Sequence, residues 1–157
     1  MSSIREQIMA AIVVALNDSR PGNVPEFIRT RVDSPDPGQL PVNSVYQGEE
    51  IVGRMTDEGE GRTSRGPVLR RAVIVHIEAV TKAAGASVPD KELDPTLVWV
   101  TSKMAAAGRF AGDLADYPGD ELGTRFEYER AESSFCRATM RWRIEYQTTS
   151  TDAEAMT

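Results

Sequence analysis

The sequence predicts an α+β fold: a mostly antiparallel sheet of about four to five strands, two helices packed on one face, and a long β-hairpin arm or loop. Three observations predict it. Near the C-terminus, Cys136, Ala138, Met140, Trp142, Ile144 and Tyr146 alternate with Arg137, Thr139, Arg141, Arg143 and Glu145, the period-two pattern of a half-buried strand. Near the N-terminus, Ile4, Ile8, Ile12 and Leu16 recur at four-residue spacing and make one apolar stripe on a helix. Between them, the glycine-rich stretch from Gln47 to Gly66 separates two strand-like segments.

The elements follow in order. Ser3-Ile4-Arg5-Glu6 reads as a capping box, with the Ser3 hydroxyl capping the first turn and Glu6 reaching back, so a helix is expected from about Ser3 to Asn17. Arg20-Pro21-Gly22 ends it. Phe27 to Val32 reads as a short strand, Ser34-Pro35-Asp36-Pro37-Gly38 as a turn, and Val42 to Gln47 as a second strand. Gln47 to Gly66 is too polar for a core and reads as a long loop with its tip at Gly59-Glu60-Gly61-Arg62, or as the stretched middle of a hairpin arm. Pro67 to Lys82 is the strongest strand in the middle of the chain. Leu69, Arg71, Val73, Val75, Ile77 and Ala79 share one face, and Arg70, Ala72, Ile74, His76 and Glu78 the other, so the strand is expected to be central or to meet a neighbouring subunit.

The second helix is expected to open at Leu93-Asp94-Pro95, with Asp94 as N-cap and Pro95 at the first helical position, and to end at Ala107-Gly108. Phe126 and Tyr128 alternate with Arg125, Glu127 and Glu129, and a turn near Glu132-Ser133-Ser134 joins this strand to the last one. The aromatic residues of this hairpin are expected to point inward. The reading is one domain over 1–149, with a frayed tail over 150–157.

Composition bounds the function. The chain has 157 residues, 40 % of them apolar and 27 % charged, which is globular rather than disordered. A net charge of −6 argues against a dedicated nucleic-acid binder. Fifteen arginines against three lysines favour ion-paired interfaces. One cysteine and one histidine exclude an internal disulfide and an ordinary structural zinc site. The N-terminus lacks a signal-peptide pattern, so the expected location is the cytoplasm or a particle assembled there.

Individual residues point to little chemistry. His76 is the one imidazole and a conceivable base, but no nucleophile elbow accompanies it. Cys136 falls on the apolar face of its strand and reads as core. The loop glycines make no phosphate cradle, since Gly66 is followed by Pro67 rather than by Lys and Ser or Thr. Asp113, Asp116, Asp120 and Glu121 lack the spacing of a calcium loop and read as a solvated acidic segment or a channel lining. Glu49, Glu50, Arg54, Arg62, Arg65, Arg70, Arg71, His76, Arg141 and Arg143 are the candidate interface residues, the arginines reading as ion-pair partners of acidic neighbours.

Together, the opening Ile4-Arg5-Glu6-Gln7-Ile8 helix, Arg29-Thr30-Arg31, Asp36-Pro37-Gly38-Gln39-Leu40-Pro41, Gly48-Glu49-Glu50, Gly66-Pro67-Val68-Leu69-Arg70-Arg71, the Leu93-Asp94-Pro95 helix and the closing Arg143-Ile144-Glu145-Tyr146 resemble the tail terminator (tail completion) proteins of long-tailed bacteriophages. The resemblance covers Ser3 to Thr148 and rests on element order rather than on one motif. It implies a structural virion protein: a ring, typically a homohexamer, on the head-proximal end of the tail tube. Such a ring ends tube polymerisation and joins the tail to the head connector. The implied partners are other copies of the chain, the tail tube protein and the connector or neck protein. Genomic DNA would pass through the lumen without specific binding. The resemblance implies no enzyme activity, no cofactor and no membrane. It places the protein in the virion, at the head–tail junction, after assembly in the bacterial host cytoplasm. A neck or head-completion adaptor is the neighbouring alternative. A small ligand-binding domain or enzyme using His76 is the alternative of another class, and an arginine-strand nucleic-acid module is a third.

Overall fold

A computed structural model describes residues 2–29, 40–54, 62–63, 66–82, 89–130 and 134–149. Helix α1 (Ile4–Asn17) begins where the sequence places it, and the Ser3 side chain accepts a hydrogen bond from the Glu6 amide. The reciprocal half of the capping box is absent among the described contacts, because the Glu6 carboxylate pairs with Arg29 at 2.8 Å instead. Ile4, Ile8, Ile12 and Leu16 are fully buried, as their spacing requires, and Met9 joins them.

Strand β1 (Phe27–Arg29) runs parallel to β2 (Val42–Arg54), the one parallel pair among the described residues. The short β3 (Arg62–Thr63) pairs with the start of β4 (Gly66–Lys82). Helix α2 (Pro89–Ala107), β5 (Asp120–Arg130) and β6 (Ser134–Thr149) complete the order. The main path across the sheet is β1-β2-β4-β6-β5, so β4 is central, and its pairings with β2 and β6 are both antiparallel.

Both helices lie on one face of this sheet. Ile4, Ile8, Ile12 and Leu16 of α1, Val100 and Met104 of α2, and the inward row Val73, Val75, Ile77, Met140, Trp142, Ile144 and Tyr146 form one apolar core. This is the predicted α+β class with its helix layer and antiparallel majority. The alternation along β6 is the expected one, since every residue named inward there is buried. Trp99 fastens the helices together by donating its indole N–H to the Leu16 carbonyl at 2.7 Å.

Four expectations need correction. The stretch read as a loop from Gln47 is strand as far as Arg54, paired to β4 through a bulge between Gln47 and Glu50. Polar composition misled there because the end of β2 is held by pairing with β4 rather than by burial: Ile51 and Val52 are exposed and need no apolar face. Helix α2 starts at Pro89, so Asp94 is not its N-cap and Pro95 lies inside the helix. Asp90 and Glu92 already supply negative charge to its first turn. Strand β5 begins at Asp120, before the predicted stretch. Finally, Phe126 and Tyr128 sit on the helix side of β5 but remain exposed, because β5 is the edge strand and α2 does not reach over it. Residues 30–39, including the predicted turn, and the tail 150–157 fall outside the described residues.

Candidate functional site

The sheet face opposite the helices is the richest in chemistry. Period-two geometry sends Tyr46, His76, Glu78, Arg137, Thr139, Arg141, Arg143 and Glu145 to that side. One row across the sheet reads Tyr46, His76, Arg141, Gly123, and the next reads Ser44, Glu78, Thr139, Arg125. No helix covers this face among the described residues.

Two bulges shape a hollow there. One lies in β2 between Gln47 and Glu50, the other in β5 between Glu121 and Gly123. A bulge bends its strand away from the regular pleat. Gly48 lets the β2 backbone close on the histidine, since a Cβ at that position would stand 2.5 Å from His76 Nε2. Gly123 takes φ +131°, a conformation open to glycine, and leaves an empty place opposite Arg141. The resulting hollow encloses about 670 Å³, with His76, Glu49, Arg125, Glu127, Thr139 and Arg141 among its lining residues.

Charges of both signs interleave in and around it. His76 is half-buried, its ring centroid 5.0 Å from that of Tyr46. Burial first, and then the Arg141 guanidinium, hold its pKa below the ordinary value, against the pull of Glu78 and Glu49. Both effects favour the neutral imidazole. Tyr46 donates its hydroxyl proton to Glu78 at 3.1 Å, and burial together with that carboxylate pushes its pKa up to about 12. Arg137 lies 3.4 Å from the other oxygen of Glu78. Among the described residues, the lining holds no serine or cysteine nucleophile. Cys136 is buried on the helix side, where burial raises its thiol pKa, so it stays an unreactive thiol.

The candidate interface residues divide into separate groups. Glu49, His76 and Arg141 meet at the hollow. Glu50 does not join them, because the bulge turns it to the helix side. There it pairs with Arg5 at 2.8 Å, lies 3.5 Å from Arg71, and accepts the Tyr146 hydroxyl. Arg71 also donates to Thr148 Oγ1 at 2.7 Å. Glu50 and Arg71 are thus already engaged inside the subunit, and any interface through them must share those partners. Arg70 is exposed, and Arg143 pairs with Glu145 at 3.1 Å. The side chains of Arg54 and Arg62, and the whole of Arg65, lie outside the described residues.

The acidic candidates do not gather into one site. Asp113 is exposed in the turn after α2, and Asp120 and Glu121 are exposed at the start of β5. Asp120 stands opposite Arg143 across the sheet. Asp116 is half-buried, and its amide donates to the Glu145 carbonyl at 2.8 Å. No group of three or more potential metal ligands occurs among the described residues. No described helix is long and apolar enough to cross a membrane.

Sequence reading missed Tyr46, Gly48, Arg125, Glu127 and Thr139 as neighbours of His76. Only the strand register brings them together, and two bulges offset that register. It also missed a second concavity of about 490 Å³ on the helix side, between α2 and edge strand β5, lined by Asp90, Lys91, Asp94, Leu97, Phe126 and Tyr128. The signal was present in the aromatic pair beside an acidic helix start, but it points outward only if β5 is an edge.

No protein-family model and no curated protein matches the chain. Among solved structures, it is similar to a chain of the virion of a native gene transfer agent particle, at 18 % identity over 93 % of this chain and 92 % of that one, with a TM-score of 0.34. At that score the likeness establishes no common fold.

Proposed function

We propose that the chain is a structural subunit of a phage-type particle, and within it a tail terminator. It would form a ring, typically of six copies, that ends growth of the tail tube and joins the tube to the head connector. The observation that carries this reading is the division of the sheet into two unlike faces. One is covered by both helices, and the other is set with interleaved charges of both signs, with Ser44, Ala72, Ile74 and Val80 buried among them. Mosaic charge of this kind suits a subunit that must meet several different surfaces in register. The element order resembling tail terminators and the exposed far end of β2 at Ile51 and Val52 agree with it. No step of catalysis and no cofactor belongs to this role. DNA would cross the lumen of a subunit with net charge −6 without being gripped.

The test is tube length. Purified chain added to polymerising tail tube protein should stop growth and bind the tube end. Uncontrolled tubes would end the terminator reading, and binding to the portal instead would move the protein to the neck. Arg70→Glu is the cleaner interface variant. Changing Arg71 as well would break its bonds to Glu50 and Thr148 and confuse assembly with folding.

The hollow around His76 favours one reading of another class, a small-ligand site. His76→Ala separates the two. Full tube-capping activity in that variant leaves the hollow without a role in the terminator function, whereas lost capping with retained fold makes it part of an interface.

A further inference from the structure

Strand β5 ends the sheet path and pairs with β6 alone among the described strands. Its side chains stand in solvent on both faces. Phe126 and Tyr128, on the helix side, are 41 % and 60 % exposed. The side chains of Arg125 and Glu127, on the other side, are 79 % and 49 % exposed. An uncovered edge of this kind offers its backbone donors and acceptors to another strand. The two aromatic residues are not loose at the surface. Tyr128 donates its hydroxyl to Asp90 at 3.2 Å, and both rings line the α2–β5 groove with Leu97.

The edge is complementary to itself. When two copies of one strand pair antiparallel about a two-fold axis normal to the sheet, residues of the same face stand opposite each other. The axis then passes through a single residue position. An axis at Arg125 sets Arg125 against its own copy, and an axis at Glu127 sets Glu127 against its own copy, a like-charge clash in each case. An axis at Phe126 does neither. It sets Arg125 against Glu127 twice on one face. On the other it sets Phe126 against Phe126 and Thr124 against Tyr128. Axes nearer the start of the strand run into the bulge between Glu121 and Gly123. One register therefore satisfies charge and apolar contact together. It also brings the two α2–β5 grooves side by side on the helix face, with the Phe126 rings between them.

We propose that β5 is a docking edge for a second copy of this chain, paired antiparallel to its own β5 about a two-fold axis at Phe126. The sheet then runs unbroken through both copies, and the exposed aromatic residues are covered. This goes beyond the ring reading above. A two-fold contact is complete after two copies, whereas a ring is built from contacts between unlike patches, so this pair is a state of the chain on its own.

The test uses the full chain alone. Sedimentation over a concentration series should show monomers and dimers in equilibrium, and a chain that stays monomeric throughout overturns the proposal. Disulfide trapping under a mild oxidant reads the register. Residues directly opposed across antiparallel strands lie about 4.5–5.5 Å apart at Cα, within reach of a disulfide. Phe126→Cys should therefore link to its own copy, as mapped by mass spectrometry. Thr124→Cys should not link to itself but should link to Tyr128→Cys when the two are mixed. Cys136 is buried and does not compete. Dimers in which Phe126→Cys stays unlinked overturn the proposal. Charge gives a second reading. Arg125→Glu and Glu127→Arg each set two like-charged pairs across the seam and should weaken dimerisation about tenfold, with unchanged far-ultraviolet circular dichroism. The double variant should recover it. Undiminished dimerisation in the single variants, or no recovery in the double, overturns the proposal. Tube capping is measured in parallel. Capping by a chain that never dimerises removes this contact alone, while dimers without capping remove the terminator role and leave the contact.

Discussion

At the scale of single residues, Glu50 carries the most. Its carboxylate gathers Arg5 from α1, Arg71 from β4 and the Tyr146 hydroxyl from β6. Tyr146 is buried, and burial first, then Glu50, raise its pKa above the ordinary value. Removing the acceptor strands a buried hydroxyl and a half-buried guanidinium. Glu50→Ala should therefore cost about 2–3 kcal/mol in urea unfolding, an effect larger than that of an exposed pair such as Arg125 with Glu127. His76 gives a pH signature. Its folded pKa lies below the ordinary 6.5, so the unfolded chain takes up the proton first as pH falls. Stability should thus decline as pH drops from 7 through 6.5 toward the folded value (near neutral pH most carboxylates are still ionised), and level off below it. His76→Gln should flatten that decline below pH 7, as read by unfolding midpoints. Neither role was legible in the sequence. Glu49 and Glu50 look alike in a polar stretch, and only the bulge sends one to the hollow and the other to the core side.

At the scale of elements, strongly periodic segments were readable and irregular ones were not. The four-residue stripe of α1 and the alternation of β6 each commit a whole element to one face, so a single register satisfies them. Helix α2 was misjudged at its start because Asp94-Pro95 mimics an N-terminus. Burial of Leu93 and Thr96 in the same helix outweighs the local signal. That choice leaves Pro95 inside the helix, without an amide to give the Lys91 carbonyl. Pro95→Ala restores the donor on an exposed site and should stabilise the chain by about 1–3 kcal/mol in chemical denaturation. An unchanged or lower stability would show that the helix is adapted to the proline. The arm was half legible: strands on both sides of the glycine-rich stretch were foreseen, but not how far β2 extends. The end of β2 is held by pairing with β4 rather than by burial, so hydrophobic periodicity carries no signal for it.

At the scale of the whole molecule, fold class was legible and surface geometry was not. Two helices on one side of an antiparallel sheet follow from element order and amphipathic faces. The hollow at His76 and the α2–β5 groove depend on which strands end up neighbours, and that is set by long-range pairing. The charge distribution makes a further prediction at this scale. If assembly contacts run through the mosaic of charges on the sheet face opposite the helices, raising salt from about 0.1 M to about 1 M, which shortens the screening length from about 10 Å to about 3 Å, should shift rings toward monomers in sedimentation experiments.

The strand order also dictates a timetable. β6 is the last described strand, yet it belongs between β4 and β5. Until it emerges from the ribosome, β5 has no partner among the described strands, and β4, though paired with β2 and β3, lacks its neighbour on the β6 side. Synthesis therefore passes through a stage in which the future centre of the sheet is an open seam, the kind of exposed edge that recruits wrong neighbours. The sheet is completed by insertion of β6 between two strands made before it, and a chain stopped before Ser134 keeps the seam open. The closing strand thus separates the nascent chain from the completed sheet.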